Sequence, residues 1–142
     1  MVTPELLHLY PFFGFLSPAQ LITLAKIARE EAFESGSIIF QENEHADWLY
    51  ILVKGSVDLF FTIEVEYHPE LHKELLFGVI NPGELFGISA LIEPYILTSS
   101  ARASKPSQII EIEASGLLAL CNEDEDLAYG LIRQVAKTSI ER

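Results

Sequence analysis

GSIIFQENEHADWLYILVKGSVDLF, residues 36–60, decides the fold. It consists of short runs rich in Ile, Val, Leu, Phe and Tyr with a period near two, the signature of half-buried strands. Gly36 and Gly55 break the runs where a turn calls for positive φ, a conformation cheap only for glycine. Outward from this stretch the pattern repeats. FESGSIIF, DWLYILVKGSVDLFFTIEVEY, ELLFGVI and SQIIEIEA fill most of the chain from Ala32 to Ile112, and Gly83 marks another turn. Short strands with regular turns predict a sandwich or jelly-roll barrel. YHPELHKE, polar and containing Pro69, is expected at a hairpin tip.

Helical patterns flank the strands. SPAQLITLAKIARE opens with Ser17 as N-cap, Pro18 at the first helical position and Gln20 at capping-box spacing. Leu21, Leu24, Ala25 and Ala28 share one face of this predicted helix, widened by Ile22 and Ile27. ASGLLALC predicts a short helix, and NEDEDLAYGLIRQVAKTSIER a longer one in which Leu127, Leu131 and Val135 recur beside Ile132. Its acidic residues Glu123 to Asp126 precede its basic ones, the polarity that a helix dipole favours. The expected class is mainly β with flanking α: a double-stranded β-helix, or jelly roll, with an N-terminal helix and C-terminal helices. One domain is expected over residues 1–142, with an N-terminal helical part at 1–31, a β-roll at 32–113 and C-terminal helices at 114–142.

At 142 residues and 49% apolar composition the chain can bury a core and is expected to fold. A formal net charge of −12, with nine scattered Lys and Arg, excludes a phosphate-backbone partner, so no nucleic acid is expected to bind. The single cysteine, Cys121, forms no internal disulfide and reads as a small buried hydrophobe, in keeping with a reducing cytoplasm. ELLHLYPFFGFL lacks the basic lead and small-residue cleavage site of a signal peptide, and Pro11 interrupts it. No run approaches the ~18 apolar residues of a membrane helix. The expected location is cytoplasmic, with no membrane partner.

No enzyme is legible. His68 and His72 are four apart, a spacing that on a helix would offer two imidazoles to a metal. Pro69 between them and the strands on either side favour a solvated loop. His8 and His45 stand alone. A metal-dependent cupin needs clustered histidines and a carboxylate on facing strands, but FGVINPGELFG has no histidine after its Pro-Gly turn. The sequence has no Ser–His–Asp set in motif context, no nucleophile elbow and no Walker loop. No catalytic residue, metal ligand or cofactor is expected.

The order of parts resembles the cyclic-nucleotide-binding domain, the sensory module of catabolite activator protein-like regulators and of kinase and channel regulators. The resemblance runs from about Pro11 to Arg142. It rests most specifically on the Gly-x-x-Ile-Phe-x-Glu turn at Gly36 to Glu42, on Tyr50 to Val57 around Gly55, and on Gly83 to Gly87. It implies a phosphate-binding cassette after the Gly-Glu-Leu-x-Gly turn. In that family a glutamate after the second glycine accepts from the ribose 2′-hydroxyl, and an arginine at the start of the next strand pairs with the cyclic phosphate. Gly83, Glu84, Leu85 and Gly87 match the turn, but Ile88 stands at the glutamate position and Leu97 at the arginine position.

Two hydrogen bonds to charged groups, each contributing about 1.5–3 kcal/mol, would therefore be lost, weakening binding on the order of 10²–10⁴. A regulatory module that does not bind cyclic AMP or GMP by the usual contacts is expected. The candidate pocket comprises Phe86, Gly87, Ile88, Ser89, Ala90, Leu97, Thr98 and Ser99. Either Ile88, Leu91 and Leu97 fill the old cavity, or the altered cassette takes another small ligand, with the N–H groups opening Ile88–Ile92 as neutral or anion-attracting donors. Arg102 is nearby, but strand alternation can turn it away. The resemblance also implies a homodimer or protein partner through the C-terminal helix, with Leu127, Leu131 and Val135 as candidate contacts, and no DNA-binding domain within these residues.

Overall fold

A computed structural model describes residues 2–65 and 68–141, and of residues 65, 68–71 and 141 the backbone alone. Among the described residues eight strands form two antiparallel four-stranded sheets. β1 (Ala28–Phe33), β8 (Ser107–Glu113), β3 (Trp48–Lys54) and β6 (Leu85–Phe86) lie side by side in that order in the first. The second orders β2 (Ile38–Phe40), β7 (Ser100–Ala103), β4 (Val57–Val65) and β5 (His68–Ile80). Helices α1 (Pro4–His8) and α2 (Pro18–Ala25) precede the roll, and α3 (Ala114–Glu123) and α4 (Glu125–Glu141) follow it. This is the expected jelly roll with helices at both ends.

In the first sheet β3 and β8 are buried on both faces, which is why WLYILV and IIEI read as nearly continuous apolar runs, while β1 at the edge is largely exposed. Leu49, Ile51, Ile110 and Ile112 face a helical core that includes Phe13, Leu24, Leu117 and Leu131. The alternate residues Tyr50, Leu52 and Ile109 face the roll interior with Val57, Leu59, Phe86 and Ala101. Strand alternation thus divides one sheet between two cores.

Three boundaries differ from the sequence reading. α2 has the predicted capping box, with Ser17 Oγ accepting from Gln20 N–H at 3.2 Å and Gln20 Oε1 accepting from Ser17 N–H at 2.8 Å. It ends at Ala25, however, and Ala28 to Phe33 form β1, so the roll begins four residues before residue 32. Pairing with β8, Ala28 opposite Ile112 and Phe33 opposite Ser107, overrides the helical periodicity through Ala28. Ile22 is half exposed rather than part of the buried face. The expected hairpin tip YHPELHKE is strand from His68 onward, with His72 opposite Glu64. Residues 66–67 and the His68 side chain lie outside the described set, so the His68/His72 pairing is not addressed.

Asp124 ends α3 and caps α4. Its Oδ1 accepts from Leu127 N–H at 3.0 Å and its Oδ2 from Gln20 Nε2 at 2.9 Å, so the capping residue of α2 also holds the start of α4. The Gln20 bond first, then the Leu127 N–H, hold the carboxyl below the usual aspartate range. A folded-state pKa lowered in this way contributes stability above the unfolded-state value, lost as pH falls through the folded-state one. Asp124→Ala is expected to lower the melting temperature at neutral pH, the deficit shrinking as pH falls through the carboxylate range. Asp124→Asn keeps an acceptor and most of the cap. Calorimetric melting across pH measures both, and a deficit that is constant with pH would contradict a charge-assisted cap. Among the described residues no helix is long and apolar enough to cross a membrane.

Candidate functional site

The Gly83–Gly87 turn is built by backbone bonds that the sequence pattern anticipates. Gly83, at φ +89°, donates its N–H to Leu52 O at 2.7 Å, and Leu52 N–H returns to Glu84 O at 3.1 Å. The Glu84 carboxylate accepts from Asn81 N–H at 2.6 Å, so its role is within the turn. Gly87, at φ +71°, opens a four-residue 3-10 turn, Ile88–Leu91. A Cβ at Gly87 would lie 2.6 Å from Tyr50 Cδ2. Only glycine gives both the left-handed backbone and this approach of backbone to ring.

The pocket candidates divide between two environments. Phe86 and Ala90 are fully buried in the roll interior, and Leu97 joins them at 4% exposure. Phe86 stacks on Tyr50 with ring centroids 5.0 Å apart, and Phe40 lies 5.3 Å from Tyr50. Ile88 and Leu91 pack instead against the helical core, so of the three residues expected to fill the cavity only Leu97 lies in the roll interior. Two aromatic rings, Phe40 and Tyr50, share that interior with Leu97. Ser89 is half-buried, Thr98 is exposed and Ser99 is buried. The neighbouring Ser100 Oγ accepts from Glu42 N–H at 3.0 Å.

Arg102 is engaged elsewhere. Ala101 and Ala103 point into the roll, and Arg102, between them on β7, forms a bidentate pair with Glu74 at 2.9 Å for both bonds. Its guanidinium also lies over the Phe60 ring, 4.4 Å from the centroid. A planar fork held this way is a strong pairing, and the hydrogen bond to Arg102 lowers the Glu74 carboxyl below its ordinary range.

The terminal helix also turns its candidates inward. Leu127, Leu131 and Val135 are buried in the helical core of their own chain, while Tyr129, Ile132 and Ile140 face outward. Leu127–Val135 periodicity therefore marks the intramolecular face of α4, not an open dimer seam.

The sequence reading missed a second cluster on the inner face of the first sheet. Arg29 on β1 is paired in register with Glu111 on β8, and Arg29 Nε donates to Glu111 Oε1 at 2.8 Å. The Arg29 guanidinium lies 4.0 Å from the Trp48 ring centroid. Glu111 is 5% exposed, and burial raises its carboxyl above the ordinary glutamate range against the pull of Arg29. A signal was present in SQIIEIEA: in a strand whose odd residues face the roll, Ile109 and Glu111 must share that side.

The Cyclic nucleotide-binding domain family matches this chain over residues 30–124. The chain is 23% identical over 133 residues to a CRP-like cAMP-activated global transcriptional regulator of Mycobacterium tuberculosis, covering 94% of this chain and 57% of that protein. It is 25% identical over 138 residues to a cyclic nucleotide-gated potassium channel of Mesorhizobium japonicum, covering 97% and 34% respectively. The chain thus spans only 57% and 34% of the length of these curated relatives. Among solved structures, a Geobacter metallireducens GS-15 protein provisionally named as cyclic nucleotide-binding is 37% identical, covers 100% of this chain and 98% of its own, and superposes with a TM-score of 0.87. The regulatory subunit of a cAMP-independent protein kinase A from Trypanosoma brucei shares the fold at 20% identity and a TM-score of 0.75, over 95% of this chain and 45% of that one.

Proposed function

Because the chain belongs to the cyclic nucleotide-binding domain family, we propose that it serves as a cytoplasmic, non-enzymatic regulatory domain that does not hold cyclic AMP or cyclic GMP by the family's usual contacts. One observation carries this reading. At the position where the resemblance expects the phosphate-pairing arginine, Leu97 is 4% exposed and sits in the same buried cluster as Phe40, Tyr50 and Phe86. A cyclic phosphate brought there would lose its hydration without gaining an uncommitted cation, since Arg29 nearby is already bonded to Glu111. Arg102 is no substitute, since Glu74 already holds both arms of its fork. The Trypanosoma brucei kinase subunit that shares the fold is named cAMP-independent.

Isothermal titration calorimetry of the unmodified protein tests it. No saturable heat is expected with either nucleotide up to about 1 mM, a threshold set by the loss of two charge-assisted contacts. One-to-one saturation by cyclic AMP or cyclic GMP in that range overturns the reading.

A second reading, a homodimer or a protein partner bound through α4, draws on one observation. Tyr129, Ile132 and Ile140 are 66%, 52% and 86% exposed on that helix. Light scattering of the purified protein is expected to give twice the mass of one chain if α4 pairs with a second copy. A monomer at all accessible concentrations removes the homodimer.

A further inference from the structure

A cavity of about 520 Å³ opens between the inner face of the first sheet and the 44–47 turn. Its size falls within the range of small-molecule sites, ~300–1,000 Å³. Four carboxylates line it, those of Glu31, Glu44, Asp47 and Glu111, against the single guanidinium of Arg29. Part of the remaining wall is aromatic, with Trp48 and Tyr50 on β3, Phe33 on β1 and Phe40 on β2. Such a wall faces a ligand with ring π-density, which attracts cations and repels phosphate, and carboxylates at the edge have the same preference.

Arg29 displays that preference within the chain. Its guanidinium lies over Trp48 at 4.0 Å, bonds Glu111 at 2.8 Å and approaches Glu31 at 3.5 Å. One internal cation leaves the carboxylates in excess. His45 answers Asp47 at 2.9 Å but is a cation only when protonated. A metal ion is the poorer occupant, because among the described residues no three His, Cys, Asp or Glu side chains converge to ligate one.

We propose that this cavity binds a small organic cation, an alkylguanidinium or alkylamine, with its charged head toward Glu31 and Glu111 and its apolar body against Trp48. The site lies beside the altered cassette and is joined to it by backbone bonds. Asn43 N–H donates to Leu97 O at 2.8 Å, Leu97 N–H to Glu44 O at 2.9 Å and Ala46 N–H to Tyr95 O at 2.8 Å. An occupant of the cavity therefore contacts the turn that clamps residues 95–97, and binding stiffens that segment.

Trp48 is the only tryptophan in the chain, so its emission reports on the cavity without labelling. Titration with agmatine and with putrescine is expected to produce a saturable change in that emission, half-complete below about 1 mM at low salt and weakened at ~0.15 M salt. Butane-1,4-diol, a neutral molecule of similar length, is expected to produce none. Glu111→Gln is expected to weaken binding about tenfold, the loss of one charge-assisted contact. Because Glu111 is buried, Glu31→Gln, altering a side chain that is 44% exposed, provides a variant that keeps the fold and is expected to weaken agmatine severalfold.

Absence of a saturable response to either cation up to about 10 mM in the folded protein would overturn the site. So would unchanged agmatine affinity in both variants, or an equal response to the diol. Cyclic-nucleotide calorimetry is a separate measurement, so failure of this site is distinguishable from failure of the regulatory reading.

Discussion

Replacing Phe86 by alanine is expected to lower the unfolding free energy by about 3–5 kcal/mol, the cost of removing a buried aromatic and leaving its cavity. The ring is fully buried, stacks on Tyr50 at an interplanar angle of 17° and approaches Phe40 at 6.1 Å. The surrounding structure has little freedom to collapse into the space. Tyr50 is fixed from one side by the close approach of Gly87, and Ala90 and Ala101 present only methyl groups. Urea denaturation monitored by circular dichroism measures the loss, which for a chain of this size corresponds to roughly 10–15 °C in melting temperature. A loss below about 1 kcal/mol would mean that the roll interior repacks freely, far outside the range for buried aromatics.

Leu97→Arg is expected to raise cyclic AMP affinity by roughly ten- to hundredfold, since one hydrogen bond between charged groups contributes about 1.5–3 kcal/mol. Adding Ile88→Glu is expected to give a smaller further gain than the family resemblance alone implies. Ile88 packs against the helical core, so a carboxylate there must first turn toward the roll. Thermal shift of the unmodified protein and of both variants, at cyclic AMP up to about 10 mM, orders the three affinities. Should folded Leu97→Arg respond no more than the unmodified chain, Leu97 is not the phosphate position and the cassette alignment fails.

What the sequence disclosed followed from how local each signal was. The α2 capping box, the positive-φ glycines and the strand periodicity act over a few residues, and each is realised at the residues that predicted it. The end of α2 was not legible, because the competing interaction, β1 against β8, joins residues more than seventy positions apart. Leu97, expected among the pocket residues, is buried in the roll interior. The division of Ile88 and Leu91 from it depends on which way a 3-10 turn faces, and no periodicity in four residues can encode that. Leu127, Leu131 and Val135 illustrate a different ambiguity. An apolar stripe predicts that a helix face is covered, but not whether its own chain or another covers it. Arg29, Trp48 and Glu111 were overlooked because they lie on three strands and meet only through the register of the first sheet.

The first sheet acts as a party wall one strand thick. On β3, Leu49 and Ile51 belong to the helical side and Tyr50 and Leu52 to the roll side, with nothing between them but the peptide backbone. Leu49 and Ile51 share their core with Leu117 of α3 and Leu131 of α4, so a shift of the β3 backbone at Tyr50 also moves the floor of that core. News of occupancy inside the roll would therefore reach the far compartment without a hinge, lid or relay of side chains.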